Sequence, residues 1–512
     1  MKETISVYCE NNPASEKVSY EVSLIRELTN SNPDLVFMLA DKNLGIAFAT
    51  TLDYNRYVMK HLNSDKYQLI NTDDQTDFRW VGSMAFFESC QDALYSLCTS
   101  YLFSKEEKKF LKSLENNYRL PNFHVLPKVH KAFDSTGDPE TRPLVSLLQW
   151  ITTPASLLLE SYLKDYLQSQ PHQFPNILRD SSELIEHLNL LNALPDGFIL
   201  VTLDVSALYT NINLDLLNSL LHQIDPKFAL LSHFITDNNY FQFANSVYKQ
   251  LDGIAMGTNC AVSLANLFLA INLDPFIYDR RDAVLLFFRF IDDLILIWTK
   301  SKPELLDFIE TLQSLIPGIK FTFKASPELV AYLDLNIFIK DGSIHYSTYQ
   351  KSMNRYQYIT RRSCHAPHIF PAYIVGELKR YKRTNSQQYT FEHMKGLFRV
   401  RLLKVGFAPY ELSTLFNKIR WNSIEESKQE LNLKPIALVL PYTLRNNFRQ
   451  LTLCLKAYEE KLLEPLPKDK YQFIIGYSKC PSIGQLLCKS GLTAHQKAVI
   501  ERDRSERIGE FL

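Results

Sequence analysis

The sequence predicts an α+β fold. Two observations carry this expectation: apolar, aromatic-rich runs of strand length cluster between residues 198 and 350, and longer stretches with helical character flank and separate them. With 512 residues, the chain exceeds what one hydrophobic core usually serves, so more than one domain or sub-domain is expected. Hydrophobic residues make up 46%, which is ordinary for a folded protein and too high for a disordered one.

In chain order, a short helix is expected near Tyr20 to Leu28. A strand at Asp34 to Ala40, a turn at Asp41-Lys42-Asn43-Leu44-Gly45 and a strand at Ile46 to Thr50 follow. Lys60 to Lys112 reads as mostly helical, and Leu120 to Ser146, rich in proline and charge, as irregular. Helices are expected at Thr153 to Leu167 and Ser182 to Leu191. Phe198 to Leu203 reads as a strand closed by Asp204, followed after Asn213 by a helical stretch, a loop with Gly253 and Gly257, and an apolar helix, Ala261 to Leu273. Ala283 to Ile291 and Leu294 to Trp298 read as two strands parted by Asp292-Asp293. Further strands are expected at Ile319 to Ala325, Tyr332 to Ile339 and Ser343 to Gln350, before a largely helical remainder with a break near Pro435.

Charge and cysteine exclude several classes. The 56 basic and 56 acidic residues cancel, but Lys340 to Lys404 holds 13 Lys/Arg against 3 Asp/Glu. The eight cysteines form no CxxC pair, so neither a zinc ribbon nor a disulfide framework is indicated, and a reducing, intracellular setting is the default. The apolar run Val284 to Trp298 is broken by Arg289, Asp292 and Asp293, which makes a bilayer reading costly; no membrane partner is expected.

The sharpest local feature is Phe290-Ile291-Asp292-Asp293 between two apolar runs. Adjacent carboxylates at the tip of a buried hairpin need charge compensation, and a divalent cation with a taste for hard oxygen, such as Mg2+, supplies it. With Asp204 they make three carboxylates able to hold two metals roughly 4 Å apart, the arrangement of two-metal phosphoryl chemistry. An ordinary Asp-Asp turn is the competing explanation.

The order of the pieces narrows the choice: Asp204, then the Gly253 to Thr258 loop and a helix, then the Asp pair, is the order of a polymerase palm. Leu203-Asp204-Val205-Ser206-Ala207-Leu208-Tyr209-Thr210-Asn211-Ile212 resembles the first catalytic motif of Penelope-like reverse transcriptases. Gly253-Ile254-Ala255-Met256-Gly257-Thr258 is similar to their template-gripping motif, and Arg289-Phe290-Ile291-Asp292-Asp293 to their Arg-Tyr-Ile-Asp-Asp signature. Ala40-Asp41-Lys42-Asn43-Leu44-Gly45 and Leu126-Pro127-Lys128-Val129-His130-Lys131, with Arg142-Pro143-Leu144-Val145-Ser146, resemble the two fingers motifs. Tyr332-Leu333-Asp334 and Tyr349-Gln350-Lys351 extend the likeness past the hairpin. Two departures stand out: Phe290 replaces the commoner Tyr, and Cys260-Ala261-Val262 stands where a proline is usual.

The resemblance implies a right-hand polymerase with fingers, an antiparallel palm and a helical thumb. It divides the chain into a lead-in (1–34), fingers and the start of the palm (35–197), palm (198–345), basic thumb (346–430) and connector (431–512). It further implies an RNA-directed DNA polymerase acting on an RNA template, a DNA primer and deoxynucleoside triphosphates, with two Mg2+ ions held by Asp204, Asp292 and Asp293. Lys42 and Arg142 would reach the triphosphate, Tyr209 would lie under the incoming sugar, and Gly257 would let backbone approach the nucleotide. Lys42 also reads as a solvated turn lysine, Tyr209 as a packing ring and Gly257 as a turn glycine. Arg361, Arg362, Lys379, Arg380, Lys382 and Arg383 are the candidate phosphate contacts of the duplex; the last four also read as a nuclear import signal or a solvated helix face. Ala437 to Tyr442 and Ser478 to Leu487 look like the connector that precedes a GIY-YIG endonuclease in many relatives. Ile475-Gly476-Tyr477 is not followed by Tyr-Ile-Gly, so the expectation is an endonuclease-lacking or truncated form. Nuclear residence follows from the expected substrate alone. A domesticated or inactive polymerase-like protein that binds nucleic acid is the alternative.

Overall fold

A computed structural model describes residues 20–70, 85–114, 117–191, 194–363, 365–422, 434–441, 453, 470–478 and 482–511. The fold is α+β, and the chain divides into two compact units, residues 32–354 with 487–512, and residues 1–31 with 355–486. The segment expected as one connector, 431–512, is therefore shared between them.

The larger unit is organised on a four-stranded antiparallel sheet in the order Lys320–Ser326, Ile199–Ser206, Asp293–Trp298, Val284–Phe290. Strands Asp293–Trp298 and Val284–Phe290 are apolar on both faces because each face is covered, whereas the edge strand Lys320–Ser326 buries little beyond Phe321. Val201, Leu203, Leu294, Leu296 and Phe287 enter one core with the helices Ala261–Asn272 and Lys302–Leu315. Leu200, Ile295 and Ile297 enter a second core, shared with helix Ser181–Asn189 and a three-stranded sheet, Leu329–Tyr332, Leu335–Lys340 and Ser343–Thr348. Alternate residues of one strand thus serve opposite cores, as a period of two requires.

Toward the N-terminal side of this unit, Leu35–Leu39 and Ile46–Thr50 form a hairpin, and helix Thr51–Leu62 follows, capped by the Thr50 side chain on the Asp53 N–H. That helix grips the loop between strands Phe123–Pro127 and Thr141–Val145. Arg56 donates to both carboxylate oxygens of the buried Asp138, Lys60 lies 2.6 Å from Asp134 and from Asp138, and the His61 ring meets Thr141 Oγ1 at 2.7 Å. Helix Ala494–Phe511 packs on the same helix with Ile500 fully buried; Gln496 donates to the Leu35 carbonyl at 2.9 Å and Arg504 to Ser246 Oγ at 3.1 Å.

The smaller unit contains helices Tyr20–Ser31, Ile369–Arg383, Gln388–Lys404 and Pro409–Phe416, with a core that includes Ile374, Leu378, Phe391, Phe398 and Leu412. Strands Lys434–Pro441 and Tyr471–Ser478 pair in parallel there, so the stretch expected to be largely helical carries a sheet. No helix among the described residues is long and apolar enough to cross a membrane.

Other departures arise from strand pairing, local or distant, that the apolar pattern does not reveal. Tyr67–Ile70 interrupts the expected helical stretch because Ser246–Gln250 supplies its ladder; residues 71–84 of that stretch lie outside the described residues. The segment expected to be irregular holds the pair Phe123–Pro127 and Thr141–Val145. The expected loop before Gly253 holds the hairpin Tyr240–Phe243 and Ser246–Gln250. Tyr332 to Ile339 is two strands, parted at Leu333, whose φ of +52° is left-handed. Ile199–Ser206 continues past Asp204 because Val205 and Ser206 pair with Phe321 and Lys320 of the edge strand.

Candidate active site

The Asp pair sits at a two-residue hairpin. Phe290 and Asp293 are the last partners of the ladder, leaving Ile291 and Asp292 at the apex. Ile291 has φ +55°, a conformation costly for a β-branched residue and held only where surroundings impose it. On the other edge, Asp293 is the direct partner of Asp204, so those two side chains leave the sheet on one face, that of the second core. Asp292 and Asp293 are half-buried and Asp204 is exposed.

Asp293 feels both of the other carboxyls, and Asp292 feels Asp204. Burial, then the charges of Asp292 and Asp204, push Asp293 up to about 6. Burial, with a further push from Asp204, raises Asp292. Partial desolvation of its carboxyl raises Asp204, although the residue as a whole is exposed, and Lys42, Lys131, Lys128 and Arg142 oppose it. Arg142 acts on Asp292 as well, and Lys351 and Lys42 on Asp293. The expected carboxylates and both expected fingers cations therefore share one electrostatic site. Among the described residues, no group of three or more His, Cys, Asp and Glu side chains is arranged to hold a metal ion. The donor chemistry nevertheless fits a hard divalent cation: three crowded carboxylates whose mutual repulsion a positive ion relieves.

This crowding has a measurable sign. A carboxyl raised in the folded state favours folding below its unfolded value, about 3.9, and that contribution is lost as pH rises through about 6. In a chelator, the melting temperature of the wild type should fall relative to Asp293→Asn across that window. Parallel curves for the two proteins would show that the carboxylates do not strain the fold.

Lys42 occupies a left-handed conformation (φ +58°, ψ +31°) in the turn between the hairpin strands, next to the buried Asp41. Arg142 lies on strand Thr141–Val145 and pairs with Asp41, Nη2 donating to Oδ2 at 3.4 Å. Its Nε is 3.3 Å from Oδ1 but misaligned, which leaves that buried N–H without an acceptor. Asp41 thus pairs with one of the expected fingers cations and precedes the other, Lys42, in the chain. Tyr209 is half-buried; burial, then the Asp292 charge, raise its hydroxyl, with Arg142 opposing. It belongs to the short helix Leu208–Asn211, held by the left-handed Ala207 before it and by Lys66 Nζ, which donates to the Thr210 carbonyl and Asn211 Oδ1. Gly257 (φ +119°) lies against strand Thr141–Val145, where an added Cβ would stand 2.1 Å from the Val145 carbonyl oxygen.

The six basic candidates belong to the smaller unit. Arg361 Nε is 3.2 Å from Glu411, and Arg380 Nη2 is 2.7 Å from Glu377, so carboxylates already match the charge of these two. Arg362, Lys379 and Arg383 are exposed, and Lys382 is half-buried.

Several groups contained in the quoted motifs carry no role legible in the sequence. Lys128 and Lys131 act on Asp204 although both pair with Glu140. His130 stands near Lys42; burial, then that charge, lower its value, and neither ring nitrogen has a hydrogen-bond partner. Arg289 is wholly buried beneath the hairpin and paired with Asp274. A lone arginine in an apolar run was its signal, since a buried charge demands a partner.

No protein-family profile matches the chain, and no curated protein does. Among solved structures, the chain is similar to telomerase from Candida albicans in complex with the TWJ fragment of telomeric RNA, at 10% identity and TM-score 0.46, over 77% of this chain and 68% of that one. It is similar to apo telomerase from Candida tropicalis at 11% identity and TM-score 0.45, over 77% and 70%. It is also similar to the RNA-dependent RNA polymerase of BmCPV at elongation state, at 9% identity and TM-score 0.36, over 70% and 34%. Likeness this weak carries no inference, and the functional reading rests on the chain's own residues.

Proposed function

We propose that this chain is a template-directed nucleotidyltransferase with a right-hand arrangement, and specifically an RNA-directed DNA polymerase of the Penelope-like kind. The observation that carries the proposal is the meeting of Asp204, Asp292 and Asp293 at one end of an antiparallel sheet, within reach of the charges of Lys42 and Arg142 and beside Tyr209. Asp204 and Asp292 would hold two Mg2+ ions, with Asp293 as a third, more peripheral carboxylate. Bound there, the ions would favour ionisation of the primer's 3′-hydroxyl and balance the charge of the departing pyrophosphate. Lys42 offers the triphosphate a point charge and Arg142 a planar fork. The exposed Arg362, Lys379 and Arg383, with Lys382, are suited to phosphates of the primer–template duplex, and contacts of that kind do not read sequence.

Tyr209 is assigned to sugar discrimination, its ring crowding a 2′-hydroxyl. Tyr209→Ala should raise ribonucleotide incorporation relative to deoxyribonucleotide by about tenfold or more. An unchanged ratio in competition assays would return Tyr209 to a packing role.

Primer extension by the purified protein tests the whole reading: a DNA primer on an RNA template, magnesium, and either deoxynucleotides or ribonucleotides. Extension with deoxynucleotides supports it. Tight duplex binding without extension would replace it with a polymerase-like binding protein, and extension with ribonucleotides alone would overturn the DNA-polymerase assignment.

A further inference from the structure

The backbone of the carboxylate hairpin is held at three successive carbonyl groups, each by a different element. The Ile291 carbonyl accepts from Arg289 Nη1 at 3.0 Å, the Asp292 carbonyl from the Val205 N–H at 3.0 Å, and the Asp293 carbonyl from the Tyr332 hydroxyl at 3.0 Å. Val205 belongs to the strand that carries Asp204, and Tyr332 to the three-stranded sheet. The first of the three holds is of another kind, because its donor is a buried cation with further ties. Arg289 Nε donates to Asp274 Oδ1 at 2.9 Å and Nη2 to Asp274 Oδ2 at 2.8 Å. Nη1 also donates to Asn266 Oδ1 at 2.9 Å, and Nη2 to the Asn266 carbonyl at 3.0 Å. All five guanidinium N–H groups thus have acceptors, on a side chain with no exposure.

A fully satisfied fork of this kind is directional. A guanidinium is planar, so its bonds to Asp274 and Asn266 fix the plane in which the Ile291 carbonyl must lie. Asn266 stands on the apolar helix Ala261–Asn272 and Asp274 begins the next short helix, so the fork refers the hairpin apex to packed helices. The apex needs such a reference, since Ile291 is held left-handed. A buried ion pair gives little net stability compared with apolar residues of the same volume, which leaves specification of geometry as its contribution.

We propose that Arg289 is a positioning residue: with Asp274 and Asn266 it sets where the Asp292-Asp293 hairpin stands relative to Asp204. The inference rests on the polymerase reading for its consequence in catalysis, but the geometric claim does not need it. Arg289→Lys keeps the charge near Asp274 and loses the fork. Asn266→Ala keeps the ion pair and removes one tie, and so serves where the lysine variant fails to fold.

The test measures hydrogen–deuterium exchange on the full-length variants, alongside primer extension with Asp292→Ala as the control. Exchange should quicken in peptides spanning 287–295 and stay unchanged in peptides spanning 51–62, a helix of the same unit that makes no bond to the hairpin. In extension, kcat should fall by about 100-fold for Arg289→Lys, and less for Asn266→Ala, with KM for the deoxynucleotide unchanged. A wild type that does not extend primers, with a hairpin loosened in the variants, would retire the polymerase reading and leave the positioning role standing. Unchanged exchange at the hairpin in both variants would overturn the proposal. So would exchange that rises equally throughout the larger unit, and so would a loosened hairpin with undiminished kcat in an active enzyme.

Discussion

Asp292→Ala is expected to lower single-turnover primer extension by roughly a thousandfold or more, the scale of loss when a charge-stabilising group leaves a preorganised site. Asp292 stands at the hairpin apex, where its carbonyl is bonded to Val205 and its carboxyl faces the charge of Asp204. Alanine removes one of the few hard oxygen donors in reach of a cation and leaves the others too few to hold two. The same change should not harm the fold. Burial and a like charge raise the Asp292 carboxyl, so its ionised form strains the folded state at neutral pH, and its removal should leave the melting temperature equal or higher. Duplex binding should persist, because the residues assigned to it lie in the smaller unit. Extension by Asp292→Ala within tenfold of wild type would dismiss the carboxylate assignment. A collapse in melting temperature would make the loss of activity uninformative, and Asp292→Asn, which keeps the shape, would then decide.

Gly257→Ala is expected to be the most damaging single change outside the carboxylates. Two costs coincide there. A φ of +119° is a conformation that side-chain-bearing residues rarely adopt, and the added Cβ would meet the Val145 carbonyl oxygen at 2.1 Å and its carbon at 3.2 Å. The obstacle is backbone rather than a flexible side chain, so relief requires the strand to move. That strand is stitched to the glycine's neighbour by the Val145 N–H, which donates to the Met256 carbonyl at 3.0 Å, and it carries Arg142. Strain and overpacking together should cost on the order of 3 kcal/mol or more. Urea denaturation should show the loss, and KM for the triphosphate should rise as Arg142 leaves Asp41. Wild-type stability in Gly257→Ala would mean that strand and loop are not in contact in solution.

These two positions also show what could be read from the chain. The carboxylates were legible because burying them without a purpose is expensive, and the apolar runs on either side marked them as buried. The palm-like order of strand, helix and hairpin was legible for the same reason: long apolar runs admit few other placements. Gly257 reads in the sequence as a place where backbone approaches a nucleotide; its close approach to strand Thr141–Val145 does not show there. That strand was hidden because Arg142-Pro143 and the charged loop before it read as irregular, and its partner, Phe123–Pro127, is defined only by pairing. Tyr67–Ile70 was hidden more deeply, since its four residues find their ladder at Ser246–Gln250. The basic cluster is the opposite case. Its charge is plain in the sequence, but Glu377 and Glu411, which engage Arg380 and Arg361, are brought to it by helix geometry and tertiary folding.

The larger unit is discontinuous in sequence, with residues 355–486 standing between its two parts. Helix Ala494–Phe511 lies along Thr51–Leu62, the helix that grips the loop leading to Arg142. During synthesis on a ribosome, the stretch 32–354 therefore emerges with one flank of that helix bare, and it stays bare while some 130 further residues are made. The contacts of Ile500, Gln496 and Arg504 form last. The unit bearing the carboxylates can complete its surface only after translation has passed the whole of the other unit, so a message cut short within that stretch yields a chain whose carboxylates, Lys42 and Arg142 are all encoded and whose scaffold is unfinished.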